Sequence, residues 1–269
     1  MRVDVGGRVV YAYTGARAPR AGQPDVVLVH GAANDHSVWS LQSRYVAHHG
    51  RNAYAVDLPG HGRSAGPAVT SVDALAGWLA DFMAAAGIGR ATLVGHSLGS
   101  LAALAAAARA PDRVAALALL GTAVPMPVSE ALLDAARADD HVAFELINGW
   151  SFSAGAKLRG NRQPGVWMTG NAMRLMERTA PGVLYADLAA CNDYAGGLAA
   201  AGGVRCPVLL VQGARDIMAP PANARALAAA LHDVRSVMLP DCGHAMMSEA
   251  PDAVLDALRA FLPVSQAGA

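Results

Sequence analysis

The sequence predicts an α/β fold, with a mostly parallel central sheet carrying helices on both faces. Three observations point there. Short runs rich in Val, Leu and Ala recur along the 269 residues, segments of helical period separate them, and the alternation is broken once, between Gly121 and Gly203. A chain of this length buries a substantial core and fits one large domain or one domain with an insertion.

Residues 8 to 14 and 26 to 29 read as the first strands, the latter being Val26-Val27-Leu28-Val29, and a helix follows over 38 to 49. A strand at 53 to 57 precedes a helix at 71 to 86. The strand at 91 to 95 runs straight into an Ala-rich helix at 98 to 110, and 114 to 120 reads as the next strand. Beyond the interruption, a strand at 207 to 212, a helix at 222 to 231, a strand at 234 to 239 and a helix at 251 to 262 complete the pattern. The interruption has helical pattern and no convincing buried strand. Lying between two core strands, it reads as an insertion, giving a core of residues 1–121 and 204–269 and a helical subdomain of residues 122–203. It holds six of the fourteen aromatic residues (Phe144, Trp150, Phe152, Trp167, Tyr185, Tyr194) and Met126, Met168, Met173 and Met176. A helical subdomain needs its own core, and any of these side chains that face the sheet would line an apolar pocket.

Composition excludes several classes of function. Lys plus Arg equals Asp plus Glu at 21 each and no Lys/Arg stripe stands out, so no polyanion-binding surface is implied and no nucleic acid partner is expected. Cys191, Cys206 and Cys242 are widely spaced and lack a metal-ligand pattern, which fits buried free thiols in a reducing, cytoplasmic compartment. Met1 to Gly6 alternate polar and apolar residues without the apolar centre of a signal peptide. The Ala-rich helices are interrupted by Arg or Asp, so no membrane span is expected. No metal or cofactor is expected; the partner is a small molecule, and the oligomeric state, monomer or homodimer, is open.

The chemistry centres on Gly95-His96-Ser97-Leu98-Gly99, between the run Ala91 to Val94 and the helix that begins at Leu98. A strand ending in a tight turn with Ser at its centre and Gly two positions to either side lifts the hydroxyl out at the top of the sheet. A serine hydroxyl is a poor nucleophile near neutral pH and needs a base. His244, in Asp241-Cys242-Gly243-His244-Ala245 just past a strand, stands on the rim where the strand ends converge. Its ring needs a carboxylate on the far nitrogen, and Asp216, in Gly213-Ala214-Arg215-Asp216, occupies the equivalent rim position. Asp216 also reads as a turn or capping residue. The chain order Ser97, Asp216, His244 matches one of the three well-known serine triad orders. The negative charge on a tetrahedral intermediate calls for two amide donors. Leu98, in the first turn of its helix, and Ala32, in His30-Gly31-Ala32-Ala33-Asn34-Asp35, are the candidates, with Ala33 the less favoured second choice and His30 a brace for the loop.

The sequence resembles the α/β-hydrolase superfamily, of the serine esterase and lipase-like type with a helical cap. The resemblance rests on His30-Gly31 with Trp39 downstream, Asp57-Leu58-Pro59-Gly60-His61-Gly62-Arg63-Ser64, Gly95 to Gly99, Gly213 to Asp216 and Gly243-His244. These matches extend across almost the whole chain outside the insertion. The resemblance implies that residues 57 to 64 shape the loop beside the nucleophile turn, His61 included. Ser97 argues against the Asp-nucleophile relatives, the epoxide hydrolases and haloalkane dehalogenases. The implied activity is hydrolysis of carboxylic esters, lactones or thioesters, small to medium and largely apolar, through an acyl-enzyme on Ser97. Carbon-carbon bond hydrolysis of vinylogous diketones is the first alternative; it needs anchors for a substrate carboxylate, for which Arg159, Arg162, Arg174, Arg178, Asn34 and His36 are candidates. Perhydrolase activity of the cofactor-free haloperoxidase type, amide hydrolysis, lyase or acyl-transfer chemistry and a non-catalytic receptor complete the alternatives.

Overall fold

A computed structural model of the chain describes residues 1–159 and 165–262. Among these, eight strands form one sheet: β1 (Arg2–Val5), β2 (Arg8–Tyr13), β3 (Asp25–Val29), β4 (Asn52–Val56), β5 (Ala91–His96), β6 (Val114–Leu120), β7 (Val208–Gly213) and β8 (Val234–Leu239). Their order across the sheet is β1-β2-β4-β3-β5-β6-β7-β8. Only the β1/β2 and β2/β4 pairs are antiparallel. Strand β1 is an addition to the elements expected from the sequence pattern. Arg2-Val3-Asp4-Val5 is a short alternating run at the sheet edge, and Gly6 and Gly7, both at positive φ, fold it back so that Val5 pairs with Arg8.

The helices are α1 (Ser40–His48), α2 (Val72–Ala85), α3 (Leu98–Arg109), α4 (Glu130–Arg137), α5 (Val142–Ser151), α6 (Ala154–Arg159), α7 (Met168–Met176), α8 (Val183–Asn192), α9 (Gly197–Gly203), α10 (Arg225–Ala230), α11 (Met246–Glu249) and α12 (Pro251–Phe261). The helix expected from residue 38 begins instead as a 3-10 turn over His36–Trp39, whose Asp35 cap accepts from Ser37 N at 2.8 Å. Local sequence sets the longer helices. In α2 the Ser71 hydroxyl accepts from Ala74 N at 3.2 Å, and Val72, Leu75, Ala76, Leu79, Phe82 and Met83 fall on one buried face.

Two apolar layers sandwich the sheet. α2, α3, α9 and α10 contribute to one, with Leu79, Phe82, Leu101, Leu104, Ala201 and Leu227; α1, α11 and α12 contribute to the other, with Val46, Met246, Val254 and Leu258. Between β6 and β7 the chain departs into an inserted helical cap. Leu132, Ile147, Met176, Leu184 and Leu188 form the cap's own core, which also takes in Ala33 from the loop after β3.

The topology decides where a ligand can sit. From β3 the chain moves outward to β4, then crosses back to β5 on the other side of β3 and proceeds to β6. The connections after β3 and β5 therefore diverge, leaving a crevice at the C-terminal ends of those two strands. The loop holding Ala32 and the turn holding Ser97 border that crevice.

Candidate active site

Ser97 joins β5 to α3 at φ 52° and ψ −121°, a conformation rarely tolerated by a residue with a side chain. The surrounding structure holds it there. Ser97 N donates to Leu120 O of β6 at 3.0 Å, while Ser97 O accepts from Ser100 N at 2.9 Å as α3 begins. The flanking glycines are required by contact: a Cβ on Gly95 would lie 2.3 Å from Gly99 O, and one on Gly99 would lie 2.4 Å from His30 O. Only with both side chains absent can α3 close onto β5 and the loop after β3.

Asp216 and His244 stand at the ends of β7 and β8 and are both buried. His244 Nδ1 lies 2.7 Å from Asp216 Oδ2, and Asp216 Oδ1 accepts from Met218 N at 2.9 Å and Ala219 N at 2.8 Å. Burial pushes the Asp216 carboxyl upward, but the His244 ring and those two amides outweigh it and hold the acid below its ordinary range. An ionised Asp216 makes Nδ1 the donor, leaving Nε2 of a neutral His244 ring free to accept a proton. Behind it, His96 Nε2 donates to His244 O at 2.9 Å. Burial, with His244 next, drives His96 down to about 3, so this ring is a neutral brace. Glu249 fixes the same loop from the other side, accepting from Gly243 N at 3.0 Å and from the cap residue Ser153 Oγ at 2.7 Å.

Ser97 and His244 open onto one cavity of about 890 Å³, together with Gly31 and Ala32. Among the described residues no hydrogen bond joins the Ser97 hydroxyl to the His244 ring, a separation common before substrate binds. Of the candidate amide donors, Ala33 N is already committed to Asp187 Oδ2 at 2.9 Å. The amides of Ala32 and Leu98 have no hydrogen-bond partner among the described residues. His30 braces the loop as its position suggested, accepting from Leu58 N at 3.0 Å through Nε2 and donating to Gly31 O at 2.8 Å through Nδ1. Burial, followed by the neighbouring His61, lowers His30 to about 4, which keeps Nε2 an acceptor.

Asp57 organises the loop that runs from it to Ser64. Its Oδ1 accepts from both His36 N and His36 Nδ1, and its Oδ2 from Arg63 N at 2.8 Å. Asp35, His36 and Asp57 lie close enough together to suggest a cation site. Their ligand atoms are already engaged: Asp35 bonds Ser37 and Arg178, and His36 bonds Asp57. The cluster ties the loop together.

The cavity wall is mostly apolar, with Met126, Leu132, Ile147, Trp150, Phe152 and Met168 from the insertion. Among the expected carboxylate anchors, Asn34 lines the cavity and His36 does not. Arg174 and Arg178 reach its rim, but their side chains are 78% and 67% exposed and pair with Glu177 and Asp35. The Arg159 side chain and Arg162 lie outside the described residues. Two residues of this neighbourhood, Asp187 and Glu249, are absent from the candidates that sequence reasoning supplies. Asp187 had a signal, being the lone charge in the apolar stretch Leu184 to Ala190.

The sequence pattern of the Alpha/beta hydrolase family matches residues 26–257. The chain is 34% identical over 248 residues to the pimeloyl-(acyl-carrier protein) methyl ester esterase of Aromatoleum aromaticum, covering 86% of this chain and 94% of that protein. It is 30% identical over 275 residues to the putative carbamate hydrolase RutD of Klebsiella pneumoniae subsp. pneumoniae, covering 93% and 97%. In structure it is similar to the enol-lactonase from Burkholderia xenovorans, with a TM-score of 0.86, 26% identity and coverage of 97% of this chain and 99% of that one. A sequence match over this much of the chain gives the lineage: this chain belongs to the alpha/beta hydrolase family.

Proposed function

We propose that the chain hydrolyses carboxylic esters through an acyl-enzyme on Ser97, with His244 as base and acid, Asp216 as its orienting carboxylate, and the Ala32 and Leu98 amides as oxyanion donors. One observation carries this reading. His244, paired with the buried Asp216, lines the same cavity as Ala32 and a serine held at a strained strand-to-helix turn, and the Ala32 and Leu98 amides have no partner among the described residues.

The steps follow from these roles. Ser97 Oγ attacks the acyl carbonyl while His244 Nε2 takes its proton, and the imidazolium that forms is stabilised by Asp216. The carbonyl oxygen gains charge as it becomes tetrahedral, which is when the Ala32 and Leu98 amides bind it most strongly. His244 then protonates the leaving alcohol. A water that gives its proton to His244 releases the acid and restores Ser97.

The apolar wall supports a small to medium, largely apolar acyl or alcohol group. The relatives named as a methyl ester esterase and an enol-lactonase support an oxygen leaving group. The exposed, ion-paired state of Arg174 and Arg178 favours an ester over a vinylogous diketone, whose carboxylate would need a committed cation. The three free, buried thiols support a cytoplasmic location, which cell fractionation would check. No helix among the described residues is long and apolar enough to cross a membrane.

Turnover of p-nitrophenyl esters of graded chain length, beside a vinylogous diketone panel, tests the reading. Activity should peak at a short or medium acyl chain, and a fluorophosphonate should label Ser97. Ser97→Ala should remove both activity and labelling; retained ester turnover in that variant would sink the mechanism.

A further inference from the structure

We propose that Asp187, on cap helix α8, is a positioning residue for ester hydrolysis: its carboxylate holds the Ala33 amide and thereby fixes the turn that presents the Ala32 amide to the oxyanion. The inference rests on the role given to Ala32 above.

Asp187 sits among Leu184, Leu188, Ala190 and Cys191 on a helix packed into the cap core, and is only 2% exposed. A buried carboxylate in such surroundings is costly unless donors meet it. Two do, both at Oδ2: Ala33 N at 2.9 Å and His61 Nε2 at 2.8 Å. His61 is itself buried, and its Nδ1 lies 3.0 Å from Pro59 O. Both ring nitrogens therefore face groups that only accept, so both carry hydrogen and the ring is an imidazolium. The result is a buried ion pair joining three pieces of chain: α8 of the cap, the loop after β4 and the loop after β3.

A four-residue turn such as the one at the end of this chain of contacts can be built in two ways. Asn34 N donates to Gly31 O at 3.3 Å, closing a four-residue turn with Ala32 and Ala33 at its centre. Ala33 has φ 52°, whereas Ala32 is not among the residues at positive φ. Positive φ at the third position alone defines a type II turn, where Gly or Asn is the favoured residue. In a type I turn the peptide between the second and third residues is turned over, and the third residue returns to negative φ. That peptide here carries the Ala33 amide, the group Asp187 holds. Asp187 thus bonds the atom whose direction separates the two states, in a turn whose alanine is better suited to the other one; the Ala32 amide lies in the preceding peptide, and the bond acts on it by tying the next residue of the same turn to the cap.

Further cap contacts act on the same loop. Ala33 packs into the cap core, Thr179 Oγ1 donates to Ala33 O at 3.4 Å, and Arg178 pairs with Asp35 at 3.1 Å. Of the polar contacts, the one from Asp187 is sheltered from water, so it is the one that is not screened. Oxyanion donors act chiefly in the transition state, so losing their placement lowers kcat more than it changes KM.

Steady-state kinetics on a p-nitrophenyl ester with the purified full chain test this. Asp187→Ala should lower kcat by about tenfold or more with KM within about threefold of wild type. Asp187→Asn can set its amide oxygen where Oδ2 stands, accepting from the Ala33 amide and from a hydrogen on His61 Nε2, and should recover kcat to within about threefold. Ala33→Gly added to Asp187→Ala should also recover it, because glycine adopts the positive φ unaided. An unchanged kcat in Asp187→Ala, an equal loss in Asp187→Asn, or no recovery by Ala33→Gly would each overturn the proposal. Where Asp187→Ala does not fold, Asp187→Leu, close to aspartate in shape but without an acceptor, takes its place under the same outcomes, with Asp187→Asn as the conservative rescue. Fluorophosphonate labelling of wild-type Ser97 separates the two readings. Absent labelling fails the acyl-enzyme, whereas labelling with unaltered Asp187→Ala kinetics fails only the positioning role.

Discussion

Asp216 divides its carboxylate between two tasks, one oxygen for the His244 ring and one for the amides of Met218 and Ala219. The carboxylate thus makes the turn contacts of a capping residue and also the contact to the His244 ring on which the proposed orienting role rests. Asp216→Asn should leave the turn in place but offer the ring a donor as readily as an acceptor, and kcat should fall by about 10³-fold or more with little change in KM. The depressed acidity of Asp216 also has a sign. Its folded value lies below its unfolded one, so the stability it contributes is present above about pH 4 and is lost as pH falls through the folded value. At this scale legibility depended on local context. Ser97, Asp216 and His244 each stand in a short Gly-containing segment directly after an apolar strand, which betrays their place on the rim. Asp187 stands in an unmarked helix, and its partners Ala33 and His61 lie 154 and 126 residues away, distances that no spacing rule spans.

The approach of α3 to the strand ends shows why some helices could be delimited from sequence and others could not. A Cβ at Gly99 would meet His30 O at 2.4 Å and Val29 O at 2.5 Å, both backbone atoms with no freedom to yield. Gly99→Ala should therefore destabilise the protein by about 2 to 4 kcal/mol, seen as a lower urea midpoint, and slow turnover by displacing the Leu98 amide. Gly77, on the exposed face of α2, has open space where a methyl group would go, with nothing within 4 Å, so Gly77→Ala should raise stability by about 0.5 to 1 kcal/mol. The same residue type at two helical positions gives opposite signs, and only the tertiary neighbours distinguish them. Strands β3 to β7 were legible because burial leaves an apolar run. β1 was not, since an edge strand of four residues alternates and half of it is the charged pair Arg2 and Asp4. The cap helices announce their apolar content, yet which side chains turn toward Ser97 is set by packing against the sheet and is not periodic.

Across the whole molecule, buried histidines make stability depend on pH in both directions. His30 and His96 are lowered to about 4 and about 3, chiefly by burial. Unfolding exposes rings that take up protons below about pH 6.5, so each costs the folded state about 1.4 kcal/mol per pH unit until its folded value is reached. For His61 burial opposes protonation, but Asp187 outweighs it and the value is raised. That contribution is present below about pH 6.5 and is lost as pH rises through the folded value. The urea midpoint should therefore be highest near neutrality and drop markedly between pH 7 and pH 5; a flat profile there would contradict this assignment of charge. The topology that places β3 beside β5 explains why residues so distant in sequence share one crevice, and the alternation of strands and helices made that topology readable early. The grip of Asp187 on Ala33 sets a rule for rebuilding the enzyme. A foreign cap grafted between Thr122 and Val204 to alter substrate range would remove the acceptor of the Ala33 amide along with the old pocket wall. Such a chimera would be slow on every ester, good fit or bad, until the graft restores an acceptor at that place or Ala33 becomes glycine.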